Sequence, residues 1–168
     1  GISTGQVWAL VEGHADEVRS LYADDFAASE HQGLTRFFGD LRYGYSSWAA
    51  ARYMHSIGQP GYLYMFDYVA PEQREFSIGA PHASGAVTML SDFESQVAGQ
   101  MRSYWLNLIR TGDPNGEGLP NWPVAADGKA TRWMVFGDSA HPETGVRDPA
   151  MNLLDALWKE RTAPLNNQ

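Results

Sequence analysis

The chain has no cysteine, 12 basic residues against 20 acidic ones, and neither an internal repeat nor a low-complexity tract. Each absence removes a class of function. Without cysteine there is no disulfide framework, no thiolate metal site and no cysteine nucleophile, although this assigns no compartment. A formal charge of −8 leaves no basic patch to neutralise phosphates, so neither a nucleic-acid partner nor an anionic membrane surface is expected. No run of about 18 apolar residues is present, which excludes an expected membrane-spanning helix. The opening residues lack the charged and apolar regions of a signal peptide. The first residue is glycine, and a missing or processed N-terminus is the expectation.

What is present suits a packed domain. The 168 residues are 43% hydrophobic and 12% aromatic, well outside a disordered composition. DEVRSLYADD (16–25) reads as a short acidic helix. Residues 34–58 read as one long helix, because Leu34, Phe37, Phe38, Leu41, Tyr45, Trp48, Arg52 and Met54 recur at three-to-four spacing. Gly39 and Gly44 weaken that helix, and Gly58 and Pro60 end it. GYLYMFDYV (61–69) is short, aromatic and nearly continuous in apolar character, which predicts a strand buried on both faces. APEQREFSIGAP (70–81) reads as a loop. Residues 94–112 predict an amphipathic helix with Val97, Met101, Tyr104, Trp105 and Leu108 on one side and Gly112 as its stop. DPNGEGLPNWP (113–123) is turn chemistry. RWMVFG (132–137) predicts a second short strand. Residues 148–160 predict a last helix, started by Pro149, with Leu153, Leu154, Leu157 and Trp158 facing inward.

This alternation is an α/β order. Two strands are too few for a buried parallel sheet with helices on both faces, so the chain reads as part of a larger sheet.

The opening GISTG matches G-x-S-x-G, which makes Ser3 a formal candidate nucleophile. A nucleophile elbow needs a buried strand before the serine and a helix after it, and only two residues precede Ser3 in this chain. A chance match is the expectation. His14 with Asp16 and Glu17, and Glu30 with His31, each look like a fragment of a metal site. No second cluster completes the coordination, so solvated surfaces are expected. His55 is placed to help the carbonyls at a helix end, and His141 precedes Pro142 in an exposed loop. His82 follows the first strand. The residues alone leave it open between a loop histidine bonded to backbone and a group placed for chemistry beyond a strand's carboxyl end.

Five stretches carry a resemblance: FFGDLRYGYSSWAAAR (37–52), GQPGYLYMFDYVAP (58–71), IGAPHASGAV (78–87), MRSYWLNLIRTGDPNGEGLPNWP (101–123) and WMVFGD (133–138). From about residue 19 to about residue 138 the chain resembles the C-terminal portion of the type B carboxylesterases. These are the cholinesterase and para-nitrobenzyl-esterase branch of the α/β-hydrolases. The resemblance implies an α/β fold in which residues 1–168 are the C-terminal fragment of one hydrolase domain, with the last strands of a mostly parallel sheet and their flanking helices. It implies hydrolysis of a small-molecule carboxylic ester through an acyl-enzyme, with no metal and no organic cofactor. The partner is then the rest of the same domain, bearing the serine, the glycine-rich oxyanion loop and the acid. The chain alone is expected to lack turnover.

In the resemblance the catalytic histidine lies in a G-A-x-H segment, which falls here on Gly79, Ala80, Pro81 and His82. His82 is therefore the expected general base. The family's acid lies in a D-E-G or similar turn ahead of the helix at Val18–Tyr22. GISTGQ holds no carboxylate, which leaves the acid unplaced, with Glu12 or Asp16 as nearby candidates. A serine-acid-histidine order from Ser3 would squeeze all the intervening elements into 79 residues. Gly85 stands where many members carry a glutamate. That departure keeps a second reading open, a cholinesterase-like binding module with a decayed triad. A third reading is a complete small α/β protein.

Overall fold

The computed structural model describes residues 3–11, 13–92, 94–126 and 130–163. They cluster into two compact units, one from the described residues of Gly1–Ala50 and Arg147–Gln168, the other from those of Ala51–Val146.

The first unit is helical. Ser3 caps α1 (Thr4–Ala9): its Oγ accepts the Gln6 amide at 3.3 Å, and the Gln6 side chain accepts the Ser3 amide at 2.8 Å. This reciprocal box satisfies two otherwise orphaned donors. Thus Ser3–Gln6 begin a helix. The single acidic helix expected over residues 16–25 is two, α2 (Ala15–Leu21) and α3 (Ala23–Ala28). They break at Tyr22, whose ring is buried in the unit and whose hydroxyl donates to Asp40 at 2.6 Å.

The long helix starts earlier than periodicity suggests, with α4 (Glu30–Gly39) capped by Ser29. It widens into a π-helical segment over Asp40–Gly44 and continues as α5 (Tyr45–Ser56). Gly44 explains the wide turn. A Cβ there would lie 3.1 Å from Asp40 Oδ1 and 3.2 Å from Met151 Cε, so glycine makes room for an inward carboxylate. Of the predicted apolar stripe, Phe37 and Trp48 are buried, whereas Met54 and Arg52 are exposed. The last helix, α8 (Asp148–Thr162), buries Ala150, Met151, Leu154 and Leu157. Trp158, expected inside, is 58% exposed, and Met151 takes the inward place.

The second unit holds a three-stranded sheet, β1 (Tyr64–Phe66), β2 (Arg132–Phe136) and β3 (Ala140–Thr144). β1 runs parallel to β2 with Phe66 opposite Phe136, and β3 runs antiparallel to β2 with His141 opposite Val135. The expectation of two strands is thus corrected, and His141 lies on a strand and not in a loop. Its neighbour Pro142 is tolerated because β3 is an edge among the described residues. The doubly buried strand is also not the predicted one. Trp133, Met134, Val135 and Phe136 of β2 are all buried, because β2 is central. β1 is an edge among the described residues, with Tyr64 exposed and Met65 and Phe66 half-buried.

The core of this unit forms where α7 (Gln96–Thr111) packs Val97, Met101 and Tyr104 against Met134, Phe136, Ala140 and Trp122. α7 matches its prediction closely, and Gly112 closes it at φ 80°, a conformation glycine adopts without strain. Trp122 meets Tyr104 and Phe136 edge-on at 5.3 and 5.5 Å between ring centroids. Such pairs add about 0.5–1.5 kcal/mol beyond their buried area. The loop expected over residues 70–81 contains one 3₁₀ turn, Pro71–Gln73. A short helix that the sequence does not announce, α6 (Ser84–Leu90), follows it. Among the described residues no helix is long and apolar enough to cross a membrane.

Candidate active site

His82 sits in the segment that leaves the carboxyl end of β1. The Asp67 amide continues the β1–β2 ladder, donating to the Phe136 carbonyl at 2.9 Å. The chain then turns through Pro71–Gln73. There Arg74 Nε donates to the Val69 carbonyl at 3.0 Å, and its guanidinium pairs with Asp138, just past the end of β2. Two parallel strand ends are thereby tied together, though both partners are exposed and such pairs contribute little each.

The histidine itself is held by a sequence of local bonds. Ser77 Oγ donates to the Gly79 carbonyl at 2.5 Å and accepts the Gly79 amide at 3.3 Å. Gly79 has φ 143°, which explains the glycine of the G-A-P-H run. The Ser84 amide and hydroxyl both donate to the Pro81 carbonyl, at 3.1 and 2.6 Å. This closes a tight turn over Pro81–Ser84 with His82 and Ala83 at its centre. Ala83 has φ 67° and ψ −2°, the third-residue geometry of a type II turn, where glycine is usual. His82 is exposed at the corner of this turn, immediately before α6.

Gly85 is buried beneath it. A Cβ at that position would approach Phe66 Cγ, Cδ2 and Cβ at 3.0, 3.1 and 3.2 Å. Phe66 is the last residue of β1, so α6 begins directly over the strand's carboxyl end. That is where open α/β sheets bind their ligands. A cleft of about 510 Å³, lined by Arg52, Tyr53, His55, Ser56 and Ala126, lies elsewhere in the unit, and no residue of the His82 turn lines it.

The other sequence candidates have separate roles. Ser3 is the cap of α1. Asp16 is exposed in the first turn of α2, and Glu12 lies outside the described residues. His14 bridges two carboxylates, Glu17 Oε2 at 3.4 Å and Glu160 Oε2 at 3.2 Å. His31 and His55 are exposed. No three His, Asp or Glu side chains converge as a metal would require among the described residues. His141 Nε2 donates to Glu143 Oε1 at 2.9 Å, and that bond, with one from Nδ1 to the Ser139 carbonyl, raises its pKa.

The motif most diagnostic of the resemblance is structural. Asn115 accepts the Trp122 amide at 2.6 Å and donates to the Trp122 carbonyl at 3.0 Å, so its amide replaces a strand partner. Asn107 Nδ2 donates to the Pro114 and Asn115 carbonyls, and a side chain at Gly116 would collide with it at 2.5 Å. Tyr104 donates to the Pro120 carbonyl at 2.5 Å, and burial pushes its pKa up to about 12.

One buried polar group escaped the sequence reading. Asp40 accepts from Tyr22 and pairs with Arg147, which is distant in sequence. Burial, then the Asp40 charge and hydrogen bond, raise the Tyr22 pKa. The one available signal was an aspartate between two glycines in a helical pattern.

Comparison with known proteins places these features in a family. The family profile described as "Carboxylesterase family" matches residues 9–153. Bovine carboxylesterase 4A is 37% identical over 98 residues, covering 50% of this chain and 17% of that protein. Rat carboxylesterase 1C is 27% identical over 134 residues, covering 73% of this chain and 23% of that protein. The chain thus spans about a fifth of the length of these relatives. A solved esterase from Clostridium hathewayi, reported to hydrolyse aliphatic aromatic polyesters, superposes with a TM-score of 0.51 at 19% identity, over 93% of this chain and 33% of that one. That likeness extends the agreement to the α/β-hydrolase fold. With the family pattern covering most of its length, this chain belongs to the carboxylesterase family.

Proposed function

We propose that the chain is the C-terminal part of a serine carboxylesterase domain and that His82 is its general base. The observation that carries this reading is the place of His82, at the corner of a hydrogen-bonded turn beyond the carboxyl end of β1, within the G-A-x-H segment. The nucleophilic serine, the oxyanion donors and the triad's acid belong to the part of the domain preceding this segment. As the serine Oγ attacks the ester carbonyl carbon, a ring nitrogen of His82 takes its proton. The same nitrogen returns that proton to the leaving alcohol, and the acyl-enzyme forms. In the second half, water attacks the acyl carbon, His82 takes its proton, and the serine leaves with it. The substrate is a small carboxylic ester. Residues 1–168 alone hold a base with no nucleophile to activate and turn over no ester.

The test is kcat on a short-chain nitrophenyl ester for the full-length protein and three variants. His82→Ala lowers kcat by several orders of magnitude, up to about a millionfold in the best-studied hydrolase, with KM nearly unchanged. His55→Ala and His141→Ala stay within a few fold. An active parent matched in rate by His82→Ala overturns the assignment. Gly85, where the resemblance expects a glutamate, supports the second reading of a decayed binding module. That reading requires negligible parent activity and no effect of removing His82.

A further inference from the structure

A glycine can be demanded by backbone angle or by space, and at position 85 the demand is space. Gly85 lies in α6 without a positive φ, and a methyl group there would stand 3.0–3.2 Å from Phe66, close enough that the ring has to give by a few tenths of an ångström. Phe66 is half-buried against the aromatic core, stands opposite Phe136 in the sheet, and meets Tyr68 edge-on at 6.4 Å. It is therefore a fixed surface, and the first turn of α6 rests directly on it. Two residues before Gly85 stands Ala83, the one non-glycine residue at positive φ among those described. Strain of that kind persists only where the surroundings over-determine it. Here the restraints are the two bonds from Ser84 to the Pro81 carbonyl on one side and the Gly85–Phe66 contact on the other. Between them they fix the turn that carries His82.

We propose that Phe66, Ser84 and Gly85 are positioning residues, which set where the His82 imidazole stands without touching the substrate. This rests on His82 being the general base. Relaxation of the turn would move the imidazole by a fraction of an ångström to an ångström. Misplacement on that scale costs on the order of a hundredfold in rate.

The experiment measures kcat and KM of the full-length enzyme on a short-chain nitrophenyl ester. Gly85→Ala lowers kcat about 10- to 100-fold, with KM within twofold and the folded signal by circular dichroism retained. Phe66→Ala removes two of the three crowding atoms, so adding it to Gly85→Ala restores at least part of the lost kcat. Ser84→Ala adds no volume, cuts one restraint, and lowers kcat severalfold at constant KM. Gly99→Ala on α7, where a Cβ would meet nothing within 4 Å, leaves both constants unchanged. Unchanged kcat in Gly85→Ala overturns the positioning role, and unchanged kcat in Ser84→Ala removes Ser84 from it. A loss in Gly85→Ala that Phe66→Ala deepens additively also overturns the role. If instead His82→Ala is fully active, it is the assignment of the base that fails. An inactive His82→Ala beside a fully active Gly85→Ala sinks the positioning inference alone.

Discussion

The two units of this chain solve the problem of a core in different ways. The helical unit buries a charge. Asp40 is 8% exposed, sits in a widened helical turn, and is held by Tyr22 and Arg147. The sheet unit buries aromatic rings. Tyr104, Trp105, Trp122 and Phe136 pack edge-on or tilted, and the Tyr104 hydroxyl and Trp122 indole N–H donate to the Pro120 and Leu63 carbonyls. An aromatic core is forgiving in detail, because apolar contact is non-directional. A buried ion pair tolerates no missing partner. The candidate base lies in the unit with the tolerant core, on a turn whose own geometry is exacting.

The largest expected effect breaks this contrast from the helical side. Asp40→Ala leaves the Arg147 charge and the Tyr22 hydroxyl without their acceptor and should cost about 3–5 kcal/mol in urea unfolding of the full-length protein. Arg147→Met added to it should recover much of that loss. A loss below about 1 kcal/mol would show that water replaces the carboxylate easily.

In the sheet unit, Asn115→Ala is expected to cost less, about 1–3 kcal/mol, because one buried amide and one carbonyl of Trp122 lose their partners while the rings stay packed. The same unfolding experiment compares the two directly. If Asn115→Ala proves the costlier, hydrogen-bonded loop geometry and not ring packing holds this unit together.

The smallest effect concerns pH. The bond to Glu143 raises the His141 pKa above its ordinary value of about 6.5. The pair therefore stabilises fully below that ordinary value and fades as pH rises through the raised one. The site is half exposed, so solvent screening limits it to a few tenths of a kcal/mol. Melting temperature of Glu143→Gln against the parent should differ slightly near pH 5.5 and converge near pH 8.5. A gap that widens at high pH would reverse the sign.

Much of the molecule was legible residue by residue where local chemistry decides alone. Ser95 and Gly112 bracket α7, and its apolar face falls where the 3.6-residue period puts it. The Trp133–Phe136 run declares a strand, although its burial on both faces follows from its central place in the sheet. Residues 70–81 read as a loop, and the G-A-x-H pattern of the resemblance singled out the histidine as the candidate. That burial apart, these features need no distant partner.

The rest depends on which segments meet. Ala140–Thr144 holds a proline and three polar side chains and looks like a loop, yet it pairs antiparallel with β2. The reason for Gly85 lies in Phe66, and the reason for Gly44 in Asp40 and Met151. Asp40 and Arg147 lie more than a hundred positions apart, and nothing local marks either as a partner. Local propensity and periodicity act over a few residues, so the sequence by itself determined α7, the last helix and the presence of a strand at Arg132–Phe136. Space and charge act between whatever the fold brings together. Only the tertiary structure decided which glycines were compulsory, which carboxylate went inside, and what holds the histidine's turn in a conformation alanine otherwise avoids.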